Sequence, residues 1–262
     1  MIEINLEKEL EMYFYNKGYG SESGKEAADM AAFLQENKKD FYPTPHCLIQ
    51  SFIEHAFYYN DLFCLGDEKL ARDKEPIIIA DFCCGDKNIG QVFKSIKTPP
   101  HSNYCELEDC NIHFIETDLK NGTDFLAVPF SELENLCLGH WPDIGIMHPP
   151  LSLFNEWVQR CCYLFELGFA ILAPTSYLYK IPKIFNCIHE GNDYYLAQVL
   201  TFNYCPLLSP RLQQDEKIEE GEESYSWFVF INKTSDSFFL LKDDYSLGWL
   251  DIGDYILTKE TN

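Results

Sequence analysis

The chain has 262 residues, 46% apolar and 24% charged, which suits one large α/β domain or two small ones with a substantial core. Its 42 acidic residues against 20 basic ones give a net charge of −22, which excludes a tight electrostatic grip on a phosphate backbone unless a basic patch or a partner supplies it. No apolar run reaches the ~20 residues of a membrane span, the first residues lack a basic stretch followed by an apolar one, and the 11 cysteines contain no CxxC pair. A non-membrane, intracellular protein (cytoplasmic or nuclear) with reduced, buried thiols and no metal site is therefore expected.

Residues 1–40 read as a mostly polar helical segment, and 41–45 (FYPTP) as an extended or turn element, because each proline pushes its predecessor away from helix. A helix is predicted over 46–59 from its apolar spacing. IIIADF (77–82) is a short, wholly apolar run of the kind found in buried parallel strands, and a glycine turn and a helix follow it. Further strands are predicted at 111–119, 142–147, 169–174, 195–202 and 226–232, with helices over 152–168 and around 177–190. Alternating strands and helices imply βαβ units, hence an α/β fold with a Rossmann-like, mainly parallel sheet flanked by helices. The domain spans 41–232, residues 233–262 form a C-terminal appendage, and the acidic stretch 213–223 reads as a surface loop.

In an open parallel sheet, ligands bind beyond the carboxyl ends of the strands. After the first strand comes Asp81-Phe82-Cys83-Cys84-Gly85-Asp86, where Gly85 permits a tight turn and close approach of the backbone to a ligand. No G-x-G-x-x-G accompanies it, which argues against a dinucleotide site. After the second strand, Asp118 can accept both hydroxyl hydrogens of a ribose, with Glu106 as a rival if 104–109 is the true strand. Asp124 and Phe125 offer an acceptor for an exocyclic amine and a ring to stack on a purine. After the third strand, His148-Pro149-Pro150-Leu151 fixes a rigid loop, and a carbonyl ahead of a proline is free to accept from a substrate. G-x-S-x-G and G-x-x-x-x-G-K-[ST] are both absent, which leaves no support for an α/β-hydrolase or a P-loop NTPase.

The order FYPTP, ADFCCGD, TDLKNGTDFL, PDIGIMHPPLS and FAILAP, with SYSWFV (224–229) later, resembles the adenine-N6 (amino) DNA methyltransferases of the phage type, within the class I S-adenosylmethionine-dependent methyltransferases. The resemblance covers roughly 40–232 and implies S-adenosylmethionine as cofactor and nucleic acid as substrate, DNA before RNA. It places Tyr42 and Thr44 along the cofactor's methionine end and wraps the turn from Asp81 to Asp86 around the same end. Asp118 then holds the ribose, and Asp124 with Phe125 holds the adenine. His148, Pro149, Pro150 and Leu151 occupy the catalytic tetrapeptide. There the first residue and the first proline's carbonyl accept from the target amine, and the fourth residue stacks on a flipped base.

The chain departs from that pattern at several positions. His148 stands where the family has Asp, Asn or Ser, Leu151 where it has an aromatic residue, and Phe82 where it has Pro; a Gly-x-Gly is reduced to Gly85-Asp86-Lys87. Losing one aromatic stack costs on the order of 1–3 kcal/mol. The alternative reading is a catalytically impaired subunit that binds S-adenosylmethionine or a protein partner. Lys38, Lys39, Lys87, Lys94, Lys97, Lys120, Lys180, Lys183 and Arg211 are candidates for a basic face.

Overall fold

The computed structural model describes residues 43–59, 62–63, 76–95, 111–119, 122–187, 194–206, 208, 218–219, 221–233, 246–250 and 256–257. In chain order the elements are α1 (His46–Ile53), β1 (Ile77–Asp81), α2 (Asn88–Ser95), β2 (Ile112–Glu116), α3 (Phe130–Leu136), β3 (Ile144–Met147) and α4 (Phe154–Leu164). There follow β4 (Gly168–Pro174), α5 (Ile181–Cys187), β5 (Tyr194–Phe202), β6 (Ile218–Glu219), β7 (Tyr225–Asn232), β8 (Ser246–Leu250) and β9 (Ile256–Leu257).

One sheet of seven strands runs in the order β2-β1-β3-β4-β7-β5-β8. β1 pairs parallel with β2 and β3, and β3 with β4; β7 lies antiparallel between β4 and β5; β8 is parallel to β5. The expected Rossmann-like, mainly parallel architecture is present, with β7 as its single reversed strand. β6 and β9 make a separate parallel pair.

β1, β3 and β4 are buried at every position, so their sequences read as continuous apolar runs because both sheet faces are covered. Alternate residues enter alternate cores. Ile77, Ile79, Ile144, Ile146, Leu172 and Trp227 face the layer of α1 and α2. Ile78, Ala80, Met147, Ile171, Phe228 and Phe230 face the side of α3 and α4. α1 is locked onto β7, where Trp227 Nε1 donates to the Leu48 carbonyl at 3.1 Å and Phe52 stacks on the Trp227 ring at 4.4 Å. In β5 a bulge between Leu196 and Gln198 shifts the register, so Ala197 and Leu200 reach the same core across an odd spacing.

Several boundaries differ from those predicted. The helix over 46–59 is α-helical only to Ile53 and continues as a π turn over Glu54–Tyr59. The helix after the double proline opens with a 3-10 turn over Leu151–Leu153 before α4, since the prolines remove the donors of a first α turn. The helix around 177–190 is a 3-10 segment over Thr175–Lys180 followed by the short α5. α3 was not predicted from the sequence. Part of the segment read as an appendage, β8, extends the sheet beside β5. The predicted helix within 1–40 lies outside the described residues. Among the described residues no helix is long and apolar enough to cross a membrane.

Candidate functional site

The parallel strands place Asp81, Glu116, Met147 and Pro174 at one edge of the sheet. The turn after β1 is stitched to the end of β2: Thr117 N–H donates to the Asp81 carbonyl and Cys84 N–H to the Thr117 carbonyl, both at 3.0 Å. Asp81 Oδ1 accepts from Cys83 N–H at 3.1 Å, and Asp118 Oδ2 accepts from Gly85 N–H at 2.9 Å. Gly85 sits at φ 50°, and Lys87 takes φ 65°. The third position of Gly85-Asp86-Lys87 thus holds a lysine in the left-handed conformation, at a local cost of about 1–2 kcal/mol. Asp86 is exposed on the outside of the same turn.

Asp81 is 1% exposed. Burial pushes its carboxyl up to about 8, against the main-chain and thiol hydrogen bonds of Cys83, and the neighbouring Asp118 and Glu116 push the same way. Cys83 lies half-buried beside it, and burial holds its thiol well above the usual range, so it is no thiolate nucleophile at neutral pH. Glu116, the register partner of Asp81, is engaged by α2. It pairs with Lys94 at 2.8 Å and packs so closely on α2 that a Cβ on Gly90 would collide with its Oε1.

Two predicted residues of distant segments meet at His148. Its Nδ1 lies 2.9 Å from Thr44 Oγ1, and the Thr44 carbonyl accepts from Asn88 Nδ2 at 2.8 Å. Thr44 therefore ties the start of α1 to the start of α2 and to the loop after β3. Asn88 was not singled out in the sequence, because its partner is 44 residues away. Burial lowers the His148 pKa to about 4, so the ring is neutral at pH 7. Neither His148 Nε2 nor the Pro149 carbonyl has a hydrogen-bond partner among the described residues.

Phe82 and Phe125 are placed differently from the expectation. Phe125 is 2% exposed and stacks with Phe82 at 5.0 Å and with Trp157 at 4.3 Å. Both rings are core, and only the main chain of Phe82 belongs to the turn after β1. The reason is Arg160, buried on α4, whose guanidinium lies 5.3 Å from Phe125 and 4.4 Å from Phe130 and donates to the carbonyls of Leu126 and Val128. Asp124 caps the same turn, accepting from Leu126 N–H at 3.0 Å.

Leu151 is half-buried against Tyr177, whose hydroxyl donates to the Leu151 carbonyl at 3.4 Å. Lys180 Nζ lies 3.2 Å from the Tyr177 ring centroid. An aromatic ring and a cation thus stand beside the residue that lacks one, a neighbour that no motif spacing indicated. Of the candidate basic face, Lys94 is paired with Glu116, and Lys38, Lys39, Lys97, Lys120 and Arg211 lie outside the described residues, as do Tyr42 and Glu106. No group of three or more His, Cys, Asp or Glu among the described residues is arranged to hold a metal ion.

No family model and no curated protein matches the chain. Solved structures do. A candidate class I S-adenosylmethionine-dependent methyltransferase from Listeria monocytogenes is 12% identical, with a TM-score of 0.41 over 90% of this chain and 73% of that one. A predicted O-methyltransferase from Agrobacterium tumefaciens is 16% identical, with a TM-score of 0.34 over 75% and 91% of the two chains. A candidate RNA methyltransferase from Pyrococcus horikoshii is 12% identical, with a TM-score of 0.34 over 66% and 82%.

Proposed function

We propose that this chain binds S-adenosylmethionine in the turn after β1 and transfers its methyl group to an exocyclic amine of a nucleobase presented at His148–Leu151. Adenine in nucleic acid is the substrate that the motif order favours, DNA before RNA. The observation that carries this reading is the convergence at one sheet edge of Asp81, Asp118 and the Gly85 turn with His148, which Thr44 holds.

The residues present fit the cofactor. It carries a sulfonium and an ammonium, and Asp81, which burial first of all keeps protonated, is suited to ionise against an incoming cation. Gly85 at φ 50° lets the main chain come close to a ligand. S-adenosylmethionine supplies an electrophilic methyl group. Asp81 and Asp118 hold positive charge and ribose hydroxyls. The Pro149 carbonyl takes a hydrogen of the amine, drawing off charge as it develops. Tyr42, Thr44, Asp86 and Asp124 complete the proposed cofactor surroundings, Thr44 through His148. With its pKa near 4, His148 does not hold a second proton at neutral pH, so the proton of the amine leaves to solvent.

A second reading, a subunit that binds the cofactor without transferring methyl, draws on Leu151 and on the net charge of −22, which calls for a partner to grip nucleic acid. Incubation with isotope-labelled S-adenosylmethionine and single-stranded DNA, duplex DNA or RNA separates the two. The expected product is N6-methyladenine by mass spectrometry. Cofactor binding with no methyl mark on any of the three assigns the second reading.

A further inference from the structure

His148 and Pro149 together present more than an acceptor for an amine. Thr44 is 6% exposed, and among the described residues His148 Nδ1 is its hydroxyl's only hydrogen-bond partner. A hydroxyl has one hydrogen to place and two lone pairs to spare. If Nδ1 carried the proton, Thr44 Oγ1 would accept it and its own O–H would be buried with nothing to receive it. If Thr44 donates to Nδ1, only lone pairs go unused, which is far less costly than an unmade donor. The second arrangement puts the imidazole proton on Nε2, the ring nitrogen with no partner among the described residues. The next residue along the chain offers the opposite polarity, the carbonyl of Pro149, which is unbonded among the described residues.

We infer that Thr44 fixes His148 as the Nε2–H tautomer, so that this N–H and the Pro149 carbonyl form a donor–acceptor pair that reads an amidine edge: an exocyclic amine beside an unprotonated ring nitrogen. Adenine offers N6–H with N1, and cytosine N4–H with N3. A uracil or thymine edge presents a carbonyl beside an N–H and does not match. The substitution of His for the family's acceptor then changes what is read: the carbonyl alone takes the amine hydrogen, and the histidine reads the adjoining nitrogen. Thr44 is a positioning residue in this scheme, and Asn88 holds it in place by donating to its carbonyl. The edge-reading part rests on the amino-methyltransfer reading above; the tautomer does not.

The test has two arms. Two-bond 1H–15N correlation spectra of protein labelled at histidine, taken at pH 7, report which nitrogen of His148 is protonated. The wild type is expected to show Nε2–H, Thr44→Ser to keep it, and Thr44→Val to give a mixture of tautomers. A wild type with the proton on Nδ1, or a Thr44→Val spectrum identical to wild type, overturns the assignment. In the second arm, protein loaded with S-adenosylhomocysteine is titrated with a single-stranded oligonucleotide containing one adenine and with its 1-deazaadenine counterpart, in which a C–H replaces the acceptor. Affinity is expected to fall by about tenfold or more. Equal binding of the two overturns the edge reading while the amino-methyltransfer reading stands. Failure of both oligonucleotides to bind removes that reading and the edge with it, and leaves the tautomer result intact.

Discussion

Replacing Phe125 with alanine lowers the free energy of unfolding by about 3–5 kcal/mol, the cost of a large cavity in a core that does not collapse around it. The ring is 2% exposed, stacks with Phe82 and Trp157, and lies under the Arg160 guanidinium. Urea unfolding followed by fluorescence measures the loss. Phe125→Leu keeps the site apolar and gives up the stacking, so it costs less, roughly 1–1.5 kcal/mol. That milder variant also separates the two roles of the ring. As a core residue, its replacement leaves affinity for S-adenosylmethionine within about twofold. Were the ring stacked on the cofactor's adenine, losing it would weaken binding by about fivefold or more, from a stack of 1–3 kcal/mol.

Asp81→Asn reverses the usual relation between stability and function. The carboxyl is pushed up to about 8 in the fold, by burial first, against an ordinary value of 3.8. Between those two pH values the native chain holds a proton that the unfolded chain has lost, so Asp81 takes stability away as pH rises, by at most about 1.4 kcal/mol per unit. His148 has the opposite sign. Its pKa is lowered from 6.5 to about 4, so its contribution is lost as pH falls through that window. The two slopes oppose each other from about 4 to 6.5, and the Asp81 decline stands alone from 6.5 to 8. The amide cannot ionise. The variant is therefore expected to be more stable than wild type at pH 8, with a difference that shrinks toward pH 4, measured as denaturation midpoints across the range. The same change removes the charge that meets a cationic cofactor, and affinity for S-adenosylmethionine falls by about 100-fold, from the loss of a charge-assisted bond in a buried site.

The runs IIIAD, IGIM and FAILAP were legible as strands because each is buried on both faces, so composition alone carried the signal. The strand ends were legible for the same reason, and they placed the Gly85 turn, Asp118 and the HPPL loop at one edge. The identity of each side chain's partner was not legible. Phe125 has the composition of a stacking residue, and whether it stacks on a ligand or on Trp157 depends on an α4 that begins 29 residues later. Thr44 and His148 are 104 residues apart, a contact made between a residue just before α1 and the loop after β3 that no local pattern indicates. Lys87 gives no sign in its type of the left-handed φ that the turn imposes. The strand at 246–250 gains its place from pairing with β5, not from a pattern of its own.

Isothermal titration of the wild-type protein with S-adenosylmethionine at pH 7, in two buffers of different ionisation enthalpy and beside Asp118→Ala, tests the central claim most directly. The predicted result is one binding site per chain, release of about one proton as Asp81 ionises against the incoming cation, and binding lost or severely weakened when Asp118 no longer caps Gly85. A wild type that gives no binding, or one that binds equally well without the Asp118 carboxylate and with no proton released, contradicts a cofactor site at the carboxyl ends of β1 and β2.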